Sequence, residues 1–266
     1  MGELNNAFWQ QPSSSYSIEY AGRFDFDGNS YMSKSSATAT DRGKFTLSYW
    51  FKIGGTPGAS GNKHVFWTAG TNGANYAFLE LRSNHKVFGG EMTGIAFGSS
   101  NETFQDGSVW YHMVYRYDSS ESSQNNRLRI YIDGSQLTGF DLSNIGSGEN
   151  HPHWNVSPMY IGQKSGIGHA VNGADWVYAD WIMVDGKSLA PTEFATGYGD
   201  DLAIVDPSKG SWVGSGDGNG WGNNGFWMQF AVADALGTDS SGQGHNFTPS
   251  GMGTDHRVTD TPSNPA

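Results

Sequence analysis

Hydrophobic and polar positions alternate residue by residue over long stretches of this chain. In KFTLSYWFKI, Phe45, Leu47, Tyr49 and Phe51 fall on one face. In NRLRIYIDG, Leu128, Ile130 and Ile132 share a face, with Arg127, Arg129 and Tyr131 opposite. A period of two marks a strand buried on one side. The same alternation runs through SIEYA, RFDFDG, KHVFWTAG, YAFLELR, WYHMVYRYD, PMYIGQ and VYADWIMVDG. Turn clusters separate these segments, among them GGTPGASGN, RSNHK, GSSNETFQDG, DSSESSQNN and KSGIGHAVNG. Many short strands joined by Gly, Asn and Ser predict an all-β fold, an antiparallel β-sandwich. The one helical signal is LAPTEFA, where Pro191 suits a first turn.

The pattern divides the chain into an N-terminal arm (1–15), a sandwich (16–236) and an extended C-terminal tail (237–266) packed on it. The arm is polar apart from Leu4, Phe8 and Trp9. It reads either as a frayed end or as an assembly arm whose aromatic pair docks on a neighbouring subunit. In WYHMVYRYD, Tyr111, Met113, Tyr115 and Tyr117 form one face, and the hydroxyl of any Tyr that is buried needs a partner. Trp110, His112, Val114 and Arg116 lie opposite, and His112 and Arg116 are expected to remain available to solvent or a neighbour.

Composition supports one sandwich: 266 residues with 38 Gly, 14% aromatic and only 15% charged. A formal charge of −11 argues against a nucleic-acid partner, which needs clustered Lys and Arg. With no Cys, a disulfide frame or a Cys-ligated zinc is excluded. The start, MGELNN, has neither the basic nor the apolar region of a signal peptide, and no apolar run approaches a membrane span. No membrane partner is therefore expected.

The ordered segments RFDFDGNSYMS, FTLSYWFKI, WYHMVYRYD, LRIYIDGSQL, MYIGQ and ADWIMVDGKSLAPTEF resemble the laminin-G-like, concanavalin-A-like jelly roll. A narrower resemblance, to the version in tailed-phage virion proteins, lies in the order of VDG-x-x-L-x-P-x-x-F, NGFWMQF, DSSGQGHNFTPSG and VTDTPSN. It implies a non-catalytic structural or accessory virion protein, a head-decoration or tail-fibre or spike subunit assembled in the host cytoplasm. The partners it implies are other virion proteins and further copies of the chain, in a trimer or another cyclic assembly, together with a cell-surface glycan. Ala190 departs from this pattern, in which an acidic residue precedes the Pro of the helical turn. The end at Ala266 is earlier than is usual, which implies a compact standalone subunit.

Glycosidases on this fold hold two carboxylates close together on one strand. No Glu here is followed two residues on by Asp, and Asp25 and Asp27 sit at a turn entry, so an endoglycanase is a remote alternative. Nucleophile-elbow and phosphate-loop motifs are missing. His151 and His153 flank a Pro and read as loop histidines, or as ligand contacts. No cofactor is required, and no metal ligand is assigned. Calcium is the ion that the oxygen-rich loops Asp217–Asn219 and Asp239–Gly242 would suit, although tight Asx/Gly turns give the same sequence. For a lectin-like module, the alternative function, the candidates are the loop aromatics Trp154, Trp212 and Trp221. Each has two fates, a platform for a sugar or a plug in the end of the sandwich.

Overall fold

The computed structural model describes residues 16–25, 30–55, 64–72, 75–91, 95–148, 153–162, 175–213 and 220–263. Its strands follow the alternating segments. The first seven are β1 (Ala21–Phe24), β2 (Tyr31–Lys34), β3 (Lys44–Ile53), β4 (His64–Asn72), β5 (Asn75–Leu81), β6 (Val87–Glu91) and β7 (Ile95–Ser99). Next come β8 (Trp110–Asp118), β9 (Leu128–Ile132), β10 (Ser135–Gln136), β11 (Met159–Ile161) and β12 (Trp176–Asp185). The C-terminal third adds β13 (Ala195–Thr196), β14 (Ala203–Ile204), β15 (Phe226–Met228), β16 (Thr248–Ser250) and β17 (Arg257–Val258).

They build two antiparallel sheets. The front sheet runs β10-β9-β8-β3-β12-β1-β17, with β15 also paired to β12, and the back sheet runs β16-β2-β11-β4-β5-β6-β7. The tail thus supplies an edge strand to each sheet, β16 on β2 and β17 on β1. The expected helix shrinks to one 3-10 turn, Pro191–Glu193, and Ala190 before it makes no side-chain cap. A four-residue helix, α1 (Gln124–Arg127), stands where only a turn cluster was expected. Arg127 explains it: the guanidinium is buried rather than solvent-facing, and it donates to the carbonyls of Glu121, Ser122 and Ile145.

Period two places Phe45, Leu47, Tyr49, Phe51, Met113, Tyr115 and Tyr117 between the sheets, all buried as the alternation predicts. Tyr49 stacks on Trp181 at 4.0 Å, and its hydroxyl donates to Met113 Sδ. The Tyr115 hydroxyl is buried with no hydrogen-bond partner among the described residues, so the rule for buried phenols fails there. At one end of the sandwich, Asp185 accepts from the Thr40 and Asn224 amides and the Asn155 side chain. This ties the loop that carries Trp154 to β12.

The front sheet's outer face is apolar as well. Val114, Ile182 and Val184 project from it and pack under Phe194, Trp212, Trp221 and Trp227. Alongside, Ile18, Trp50 and Ala179 pack with Tyr198, Leu202 and Ile204. The described segments between β12 and β15 therefore form a third layer. Because of that layer His112 is not exposed: it is 1% accessible, under Trp50 and Tyr198.

Candidate functional site

The loop tryptophans, open to two fates in the sequence, take that of the plug: all three are buried. Trp154 is 1% exposed and packs edge-on against Phe45, Tyr115 and Tyr117 in the main core. Trp212 and Trp221, 1% and 5% exposed, lie in the outer layer, where Trp212 packs on Phe194 and Trp221 stacks on Trp227. Burying a Trp removes a large apolar area from water, and two uncovered apolar surfaces, the sandwich end and the outer sheet face, were open to receive them. His153 is buried beside Ser157, with Nδ1 and Oγ 3.0 Å apart. His151 lies outside the described residues, as do Leu4, Phe8 and Trp9 of the arm and the Asp217–Asn219 loop.

Asp239 shows what the other oxygen-rich loop does. Its carboxylate accepts from the backbone amides of Trp227, Ser241 and His245, which fasten the loop. Among the described residues no group of three or more His, Asp or Glu stands close enough to hold a metal.

The site the sequence did not reveal lies on the outer face of the aromatic-rich strand. Trp50 of β3 and Trp110 of β8 project outward at neighbouring positions, since Trp50 pairs with His112 and Lys52 with Trp110. With Tyr198, Leu202, Asp133 and Asp200 they enclose a recess of about 540 Å³. Trp110 and Tyr198 are half-buried, so each keeps part of a ring open to the recess. Trp110 is held from the tail: its indole nitrogen donates to Asp260 Oδ1 at 3.0 Å, and Lys52 Nζ contacts Asp260 Oδ2 at 2.8 Å.

Asp133 and Gly134 both have positive φ, 49° and 73°, which fits the two-residue turn joining β9 to β10. The turn presses on the recess wall, for a Cβ at Gly134 would lie 2.8 Å from the Tyr198 ring. Asp133 Oδ1 accepts the His112 amide at 2.8 Å, and burial raises this carboxyl above the usual range. His112 bridges the floor, with Nε2 2.8 Å from Ser48 Oγ and Nδ1 2.7 Å from the Tyr198 hydroxyl. Burial pushes His112 down to about 3, so near neutrality it is an uncharged strut that fixes Tyr198.

One further constellation invites a catalytic reading. Ser30 Oγ lies 3.3 Å from His256 Nε2, and His256 Nδ1 lies 3.1 Å from Asp255 Oδ1. The Ser30 hydroxyl, however, donates to the Gly251 carbonyl at 2.8 Å, and His256 Nε2 also meets Asp25 at 3.2 Å. The Ser30 hydroxyl is thus committed to the Gly251 carbonyl. The trio fastens the tail to the loop between β1 and β2.

Two antiparallel sheets, an aromatic core and a recess on an outer face define a lectin-like β-sandwich of the jelly-roll class. The chain belongs to the concanavalin A-like lectin/glucanases superfamily, whose laminin-G-type profile matches residues 26–176. Trp50, Trp110, His112 and Asp133 fall inside that match, whereas Tyr198, Leu202 and Asp260 lie beyond it. A structure of a proposed carbohydrate-binding protein from Bacteroides ovatus is similar, at 16% identity and TM-score 0.58, over 91% of this chain and 60% of that one. A heptameric SAP-like pentraxin from Limulus polyphemus is similar at 16% identity and TM-score 0.46, over 65% of this chain and 78% of that one. A sialidase from Trypanosoma rangeli is similar at 20% identity and TM-score 0.41, over 57% of this chain and 22% of that one. No curated protein sequence matches.

Proposed function

We propose that the chain is a non-catalytic glycan-binding protein whose site is the recess walled by Trp50, Trp110 and Tyr198. The observation that carries this is the pairing of half-open aromatic rings with Asp133 and Asp200 in a cavity of ligand size. A sugar presents an apolar C–H face, which an aromatic ring covers, and hydroxyls, which carboxylates accept. The name given to the Bacteroides ovatus relative agrees with this chemistry. A glycan array, run with and without chelator, should give a hit. Trp110→Ala and Tyr198→Ala should then each weaken that hit about tenfold, a loss of about 1.4 kcal/mol. Silence across the array at high protein concentration, or full affinity in both variants, would remove the proposal. Loss of the hit with chelator would assign calcium a role.

A second reading, compatible with the first, places the protein in a tailed-phage virion as a head-decoration or tail-fibre subunit. The order of the landmarks from VDGKSLAPTEF through VTDTPSN favours it. It predicts a trimer or another cyclic assembly and association with other virion proteins. Light scattering on the purified protein and a mass-spectrometric inventory of particles test it. A monomer that joins no particle would end it.

A further inference from the structure

Strand β12 carries a bulge that turns a carboxylate onto the apolar outer face of the front sheet. Ala179 pairs with Trp50 and Ile182 with Ser48, so Asp180 and Trp181 together stand opposite Tyr49. Trp181 enters the core, while Asp180 takes a left-handed conformation, φ 44°, and turns to the other side. Bulges of this kind re-aim single side chains and are common beside binding sites. Asp180 is 2% exposed. Its Oδ1 accepts from Trp227 Nε1 at 2.9 Å and from the Tyr16 hydroxyl at 3.1 Å. Its Oδ2 is buried with no hydrogen-bond partner among the described residues.

Asp180 stands in the wall of a second cavity, of about 410 Å³, with Tyr16, Glu19, Tyr20 and Gln229. Among the described residues no cation pairs with it. Arg257, on the same side, lies over the Tyr20 ring at 4.3 Å and donates to the Ala231 carbonyl. Asp206 adds negative potential. An unpaired buried carboxylate oxygen is costly, and a group with several donors and a positive charge satisfies it best.

We propose that this cavity binds a small ligand through a primary ammonium group, which donates to Asp180 Oδ2. The site is separate from the aromatic recess and does not depend on glycan binding there. Burial pushes the Asp180 carboxyl up to about 7. Binding to the carboxylate is therefore strong above that pH and declines below it, about tenfold between pH 8 and pH 6. The other charged or titratable groups around it are Tyr16, Glu19, Tyr20, Asp206 and Arg257. Burial pushes the Tyr16 phenol well up, so it keeps its proton across this range.

The Trp227 indole N–H, bonded to Asp180, is the reporter. Titrating the full ¹⁵N-labelled chain with n-butylammonium at pH 8 should shift that resonance saturably, and about tenfold more weakly at pH 6. The neutral probe n-butanol should leave it in place, and Asp180→Asn should abolish the ammonium response. Equal responses to both probes, no pH dependence, or no response at all would overturn the proposal. If Asp180→Asn fails to fold, the two probes and the two pH values on the wild-type chain still decide.

Discussion

Asp180 and His112 are both buried against the front sheet and titrate in opposite senses, each carrying a signature in the pH dependence of stability. Asp180 moves from 3.8 up to about 7 on folding, so between those values the native state binds more protons than the unfolded chain. Stability from this group is present below pH 4 and is lost as pH rises through 7. His112 moves from 6.5 down to about 3, so over that window the unfolded chain binds more protons and stability rises with pH. The two largely offset each other in the wild type. Urea unfolding of Asp180→Asn should uncover the difference: between pH 4 and pH 7 the variant should gain on the order of 4 kcal/mol relative to wild type. A gap between the two proteins that stays constant with pH would mean that Asp180 keeps an ordinary carboxylate pKa. At the same scale, a sequence cue for Asp180 existed: a lone acid inside the apolar run YADWIM. Alternation by itself could not say that a bulge turns it away from the core.

Among the elements, the β9–β10 hairpin does more than reverse the chain. Gly134 has φ 73° and lies against Tyr198, so the turn sets the position of one wall of the recess. Gly134→Ala should destabilise the protein by about 1–2 kcal/mol through the left-handed backbone alone. By displacing the Tyr198 ring it should also weaken glycan binding. Gly148→Ala is the control, with φ 71° and open space around the added carbon. It should show a comparable stability change by thermal unfolding and an unchanged affinity by calorimetry. Equal affinities in both variants would show that Tyr198 is not set by this turn. The layer beyond β12 is the other element that periodicity could not foresee. Its segments are short and rich in Gly, and only contact with Val114, Ile182 and Val184 gives Trp212 and Trp221 a place to be buried.

Over the whole molecule, period two and the turn chemistry determined the two-sheet antiparallel fold and the inner face of each long strand. Strand alternation is a local property: once Phe45, Leu47, Tyr49 and Phe51 share a face, burial of that face follows. The landmark order likewise placed the chain in its superfamily. What the sequence left open was the fate of the opposite face. Trp110 and His112 fell on the outward face of one strand with Arg116, and Trp154, Trp212 and Trp221 read as loop residues that were either sugar platforms or plugs. The tertiary structure chose the plug for the last three, closed His112 beneath Trp50 and Tyr198, and left Trp110 half-open at a recess. The recess draws on residues as far apart in sequence as Trp50, Asp133, Tyr198 and Asp260, which no local pattern connects. Their meeting was decided by the long-range burial of a second apolar sheet face, because that requires a third layer to cover it.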